Sequence, residues 1–183
     1  MFIADKLRKE NIAEYLLYMW QVEDIIRAFG CDIVRIRKEY LCNFDLDDEQ
    51  MDEEEIWWRN LVRMMKEEGV SEHGHLQINR TTMQLLCELD SQLLASTKYP
   101  FYRSQYYKVL PFIVELRRRN SISQSSDVPE VETCFEALYG MMMLRLQKKE
   151  VSVETKNAMA EITTYIGLLN DYYLKDKESP LEF

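Results

Sequence analysis

Apolar residues recur at three- and four-residue steps along most of this chain. Thr155, Met159, Ile162, Ile166, Leu169 and Tyr173 form one such row. Tyr102, Tyr106, Val109, Leu110, Ile113 and Leu116 form another, and Thr82, Met83, Leu86, Leu89, Leu93 and Leu94 a third. This period builds one apolar face on a helix of 3.6 residues per turn; a half-buried strand would alternate instead. The turn residues agree. Five glycines and four prolines in 183 residues are too few for an all-β chain, which needs many tight turns with positive φ. Leu, Met, Glu, Lys, Arg and Gln are abundant, and they lose little side-chain freedom in a helix. The fold class is therefore all-α.

The punctuation sets the helix bounds. The first helix begins near Asp5 or Asn11 and ends at Gly30, which can take the left-handed cap. Asp32 caps a shorter second helix reaching Tyr40 to Asn43. Asp47 and Gln50 have the spacing of a capping box, so a third helix runs from about Asp48 to Glu68 and stops at Gly69. A fourth spans about Leu76 to Ala95, and "STKYP" breaks it because the residue before Pro100 is pushed from helical angles. Pro100 opens a fifth helix. Pro111, inside it, faces away from the apolar row and either kinks or splits the helix. The serine-rich stretch Ser121–Ser126 reads as a linker. Asp127 and Pro129 start a sixth helix through about Lys148, in which Gly140 suggests close approach of a neighbour. Ser152 caps a seventh to about Leu174. Short connections favour antiparallel neighbours, so the expected architecture is a single up-and-down type bundle of six or seven helices. One domain covers 1–174, and 175–183 form a C-terminal tail.

Charge and cysteine usage exclude some functions. The formal net charge of −9 disfavours non-specific binding to phosphate backbones. Three basic clusters (Lys6, Arg8, Lys9; Arg35, Arg37, Lys38; Arg117, Arg118, Arg119) are local exceptions that could touch an anion. The N-terminal sequence lacks the apolar core of a secretory signal. The longest apolar run, "YLLYMW", is far below the ~18 residues that span a bilayer. Cys31, Cys42, Cys87 and Cys134 show no metal-type spacing and read as free thiols of a cytoplasmic protein.

The stretch "MFIADKLRKENIAEYLLYMWQVEDIIRA" resembles the opening of an uncharacterised family of gut-bacterial proteins, a domain of unknown function of about this length. The resemblance implies an all-helical cytoplasmic protein and carries no catalytic residues.

The candidate chemistry starts in the first helix. At about 100° per residue Tyr15, Met19, Val22 and Ile26 point one way, and Glu23 projects between Ile12 and Leu16, inside the apolar arc. Asp24 falls on the opposite, polar strip. Glu23 and Arg27 have the i, i+4 spacing of an ion pair worth ~0.3–0.5 kcal/mol when exposed. If Glu23 is buried, it is either a scaffold group or the acid, base or amine anchor of a polar pocket. The second candidate is "YPFYRSQYYKVLPF", where Tyr99, Tyr102, Tyr106 and Tyr107 surround Arg103. Aromatic rings with polar tips suit a pocket or an interface, though a tyrosine stripe at helical spacing more often simply packs. Glu23, Arg27, Tyr102, Arg103 and Tyr106 thus form the candidate polar pocket.

Other signals are bland. His73 and His75 in "EHGH" lack the spacing of a zinc site and have no recognisable Ser or Cys partner, and no phosphate-binding glycine loop is present. The acidic run from Asp45 to Glu55 lacks the glycine and ligand alternation of a calcium loop and reads as helix capping. No metal, cofactor or catalytic residue is assigned. The expected function is non-enzymatic: a cytoplasmic binding or interaction protein, without nucleic-acid or membrane contact. The alternative is a small-ligand binder or enzyme with a pocket near Glu23 and Arg27. Trp20 and Leu17 lie off the main seam of the first helix, which suggests a homodimer.

Overall fold

Asn11 divides what the apolar row alone would join. Its backbone is extended (φ −155°, ψ 95°), so it ends α1 (Phe2–Glu10) and caps α2 (Ile12–Ala28), its side chain accepting the Glu14 N–H at 3.1 Å. Of the two expected starts, Asn11 marks the start of α2, whereas Asp5 falls inside α1, which begins at Phe2, and one expected helix becomes two. The computed structural model describes residues 1–119 and 128–183. Among them are eight α-helices and no strand, against the six or seven expected, because the first expected helix divides into α1 and α2. The serine-rich stretch and Asp127 lie outside the described residues.

The remaining bounds follow local chemistry. Gly30 and Gly69 take positive φ after α2 and α4, where a left-handed residue closes the helix end. Asp32 caps α3 (Ile33–Glu39), accepting from Val34 and Arg35, and a 3₁₀ turn over Leu41–Asn43 replaces the expected continuation. Asp47 and Gln50 form the predicted capping box of α4 (Asp48–Glu67). Then come α5 (Gln77–Ala95), α6 (Pro100–Arg119), α7 (Glu130–Leu146) and α8 (Val153–Glu178), the last capped by Ser152. Helix α6 is not split at Pro111. The carbonyl that loses its donor there is that of Tyr107, and both residues lie on the exposed face, where water can serve it.

The chain forms two compact units, Met1–Thr82 and Met83–Phe183, and α5 carries the chain from one to the other. In the first unit α1 packs on α2, and α3 packs on α4. Ile12, Leu16, Ile26, Ile36, Trp58 and Met65 are fully buried there. In the second, α6, α7 and α8 pack against one another around Val109, Ile113, Phe135, Ile162 and Tyr165. Gly140 is exposed, and a Cβ built on it meets nothing within 4 Å. Among the described residues the close neighbour expected at Gly140 is not found, because its face of α7 looks onto open space.

Candidate functional site

Glu23 is completely buried on α2, on the shoulder of the apolar arc where its sequence position placed it. Its Oε1 accepts the Leu76 N–H at 2.9 Å and the Asn79 Nδ2 at 2.7 Å. Its Oε2 lies 2.6 Å from His75 Nδ1. Leu76 stands immediately before α5, where the first N–H groups of a helix lack intrahelical partners and the helix dipole favours a negative charge. Glu68 does the same for the next residue, accepting the Gln77 N–H at 2.6 Å. Two acids from distant sequence thus cap α5. The His75 ring stacks on Trp20, with centroids 4.4 Å apart and planes at 18°. Trp20 is 5% exposed, so the off-seam face that suggested a second copy is covered at this residue by the chain itself.

Arg27 does not pair with Glu23. Its Nη1 donates to Asp24 Oδ1 at 2.8 Å, and its Nη2 donates to the carbonyls of Val70 (3.2 Å) and Gly74. The i, i+4 ion pair is replaced for a physical reason. Helix α5 and His75 use the Glu23 lone pairs, whereas the exposed Asp24 can follow the guanidinium as it reaches the loop. The loop before α5 is therefore clamped twice onto α2.

The tyrosine residues form a second cluster, in the second unit. Tyr102 is fully buried and donates to Asp90 Oδ1 at 2.6 Å, and Tyr165 donates to the same oxygen. Their rings lie 5.3 Å apart. Burial pushes the Tyr102 and Tyr165 hydroxyls well above the usual phenol range. Burial also raises the Asp90 carboxyl, while the two hydroxyl hydrogen bonds act the other way. Tyr106 is half-buried beside Tyr165, at 6.0 Å. Arg103 donates to the Leu94 (2.9 Å) and Ser96 (2.6 Å) carbonyls at the end of α5, the position where a cation favours the helix dipole. The five candidate residues thus belong to two sets, Glu23 with Arg27 in one unit and Tyr102, Arg103 and Tyr106 in the other, each bonded within its own unit.

A family model described as Domain of unknown function (DUF4924) matches residues 1–180. The chain belongs to this family. No curated protein and no solved structure matches it. The DUF4924 match spans both units and assigns no activity, so function rests on the chemistry of the sites.

That chemistry is closed in most of the clusters of this DUF4924 chain. The Glu23–His75 pair has the composition of a general base, but its other bonds go to a helix N-terminus and to Asn79. Burial raises the Cys87 thiol to about 12 and raises Cys134 as well, which leaves little nucleophilic thiolate at neutral pH. Among the described residues, no group of three or more His, Cys, Asp or Glu side chains could hold a metal ion, and no helix is long and apolar enough to cross a membrane. Several arginines of the basic clusters already have partners within the chain. Arg37 and Arg59 both reach Glu55, Arg35 reaches Glu39 at 3.4 Å, and Arg117 reaches Thr133 Oγ1 at 3.1 Å and Glu130 at 3.6 Å.

An open site lies in the second unit. A hollow of about 490 Å³ runs between Phe112 and Leu116 of α6 and Thr155, Ala158 and Met159 of α8. A second, of about 260 Å³, lies against Ala137, Gly140, Met141 and Leu144 of α7. The two share Leu116, Thr155 and Met159, so they form one groove over three helices. Its acidic members are Glu115, Glu136 and Glu154. The Glu154 carboxyl is held below its usual range by hydrogen bonds from its own backbone N–H and the Ser152 hydroxyl. Neither this groove nor the meeting of His75 and Asn79 with Glu23 follows from the sequence pattern. One signal was available for the latter pair. The helix after "EHGH" has Leu76 where a capping Ser, Thr, Asp or Asn would stand, so its cap had to come from elsewhere.

Proposed function

We propose that the chain acts by binding rather than catalysis, and that its binding surface is the groove of the second unit, which receives an amphipathic helical segment of another protein. The carrying observation is the continuity of the two hollows through Leu116, Thr155 and Met159, which gives an elongated apolar trough rather than an enclosed pocket. Helix-in-groove recognition uses such a trough, and methionines such as Met141 and Met159 let its floor adapt to the incoming side chains. The carboxylates along it, Glu136, Glu154 and Glu115 (the last already paired with Arg118 at 3.0 Å), on a chain of net charge −9, favour a segment with basic flanks. A cytoplasmic location fits the four free thiols.

The test uses protein labelled at the methionine methyl carbons and titrated with a synthetic Leu/Lys amphipathic helix. Saturable shifts at Met141 and Met159 are expected. A scrambled peptide of the same composition is expected to leave them in place. Gly140→Leu, whose Cβ enters open space and whose side chain projects into the trough, is expected to weaken binding at least tenfold, about 1.4 kcal/mol. Shifts that are equal for the scrambled peptide, or absent at both methionines, overturn the proposal.

A further inference from the structure

The first unit contains a smaller hollow of about 190 Å³ between α1, α2, α4 and the first turn of α5. Its floor is apolar. Tyr15, Met19 and Leu61 are buried there, and Trp57 and Met64 form the wall. Its mouth is polar and carries one acid, one base and one amide: Asp5, Arg8 and Asn60, all exposed. The sequence places them together by simple periodicity. Asp5 and Arg8 are one turn apart on α1, which puts their Cβ atoms about 5–6 Å apart on one face. Trp57, Asn60, Leu61 and Met64 occupy steps of three, four and seven on α4, and so line one stripe. The Arg8 guanidinium carbon lies 5.9 Å from the centre of the Tyr15 ring, which keeps the cation over the hollow.

Size and charge select the ligand. The volume falls below the ~300–1,000 Å³ of sites for drug-sized ligands. A nucleotide or a lipid is too large. A lone carboxylate would meet Asp5, and a lone amine would meet Arg8. A zwitterion satisfies both, with its ammonium toward Asp5, its carboxylate toward Arg8, and an apolar side chain reaching past them to Met19 and Leu61. We propose that this hollow binds a free α-amino acid with an apolar side chain.

The full chain, labelled at the methionine methyl carbons, is titrated with L-leucine and L-methionine while calorimetry and tryptophan fluorescence are followed. Saturable binding is expected, with shifts at Met19 and Met64, and a fluorescence change from Trp57 at the wall. 4-Methylpentanoate, which lacks the ammonium, and isoamylamine, which lacks the carboxylate, are expected to bind at least tenfold more weakly. Asp5→Asn and Arg8→Gln alter exposed helix positions. Each is expected to weaken the amino acid at least about tenfold while leaving the circular dichroism spectrum unchanged. The proposal fails if no amino acid binds by about 10 mM, if either analogue binds as well as leucine, or if binding persists unchanged in both variants. Because Met141 and Met159 belong to the other unit's groove, the same spectra separate this site from the peptide-binding surface.

Discussion

Glu23 holds the start of α5 against α2 through the Leu76 N–H, the Asn79 amide and the His75 ring. Its place on the shoulder of the apolar arc follows from 100° per residue, and it is buried as that geometry allows. Its partners do not follow, because His75 and Asn79 lie 52 and 56 positions away, and nothing local encodes so distant a meeting. The nearby Arg27 was the natural partner by spacing, yet Asp24 takes it. In Glu23→Ala the Leu76 N–H, the Asn79 amide and the His75 ring lose their acceptor. An unpaired buried donor costs ~1–3 kcal/mol, so the variant is expected to lose about 3 kcal/mol or more of stability. Urea unfolding followed by tryptophan fluorescence measures this directly, because Trp20 stacks on His75 and all three tryptophans lie in the first unit. Glu23→Gln keeps an oxygen that can accept the Leu76 N–H, and its loss is expected to be smaller. A cost below about 1 kcal/mol for the alanine variant would show that the carboxylate does not hold the loop.

Helix ends were the most legible elements, because a cap involves residues at most a few positions apart. Asp32, the Asp47–Gln50 box and Ser152 all cap where the sequence places them. Misreadings came where local signals compete. Asn11 serves as an end and a start at once, while the apolar period runs through it without a gap. Helix α8 continues four residues past the expected Leu174, to Glu178, because Lys175 and Lys177 are good helix formers that also favour the negative helix end. Asn11→Ala removes the acceptor of the Glu14 N–H and a residue suited to the extended angles of the break. A loss of about 1 kcal/mol is expected, again from urea unfolding at the tryptophans, and Asn11→Asp is expected to retain most of the stability. An alanine variant as stable as the parent would mean that the packing of α1 on α2, rather than the cap, sets the break.

For the whole molecule, the sequence fixes an all-α chain more easily than it shows the division after Thr82. That boundary falls inside α5, where the apolar row continues and no Gly, Pro or Ser run marks it. Within the second unit, Asp90 ties three helices together. It projects from α5 and accepts from Tyr102 of α6 and Tyr165 of α8. Its carboxyl titrates above its ordinary value because burial penalises the charge, and this fixes the sign of its pH dependence. Below the unfolded value, near ~3.9, both states hold the proton and the stabilising contribution is fully present. Between the unfolded and folded values only the native state holds it. As pH rises through the folded value the proton is lost, and with it the contribution. Asp90→Asn is neutral at every pH, and its amide oxygen can still accept both hydroxyls. Relative to this variant, the parent chain is expected to lose stability as pH rises from about 4 toward neutrality. Urea unfolding followed by far-ultraviolet circular dichroism over that range measures the difference, and the variant cancels titrations that the two proteins share. A difference that stays flat, or that runs in the parent's favour as pH rises, would mean that the two tyrosine hydroxyls stabilise the ionised carboxylate at least as much as burial penalises it.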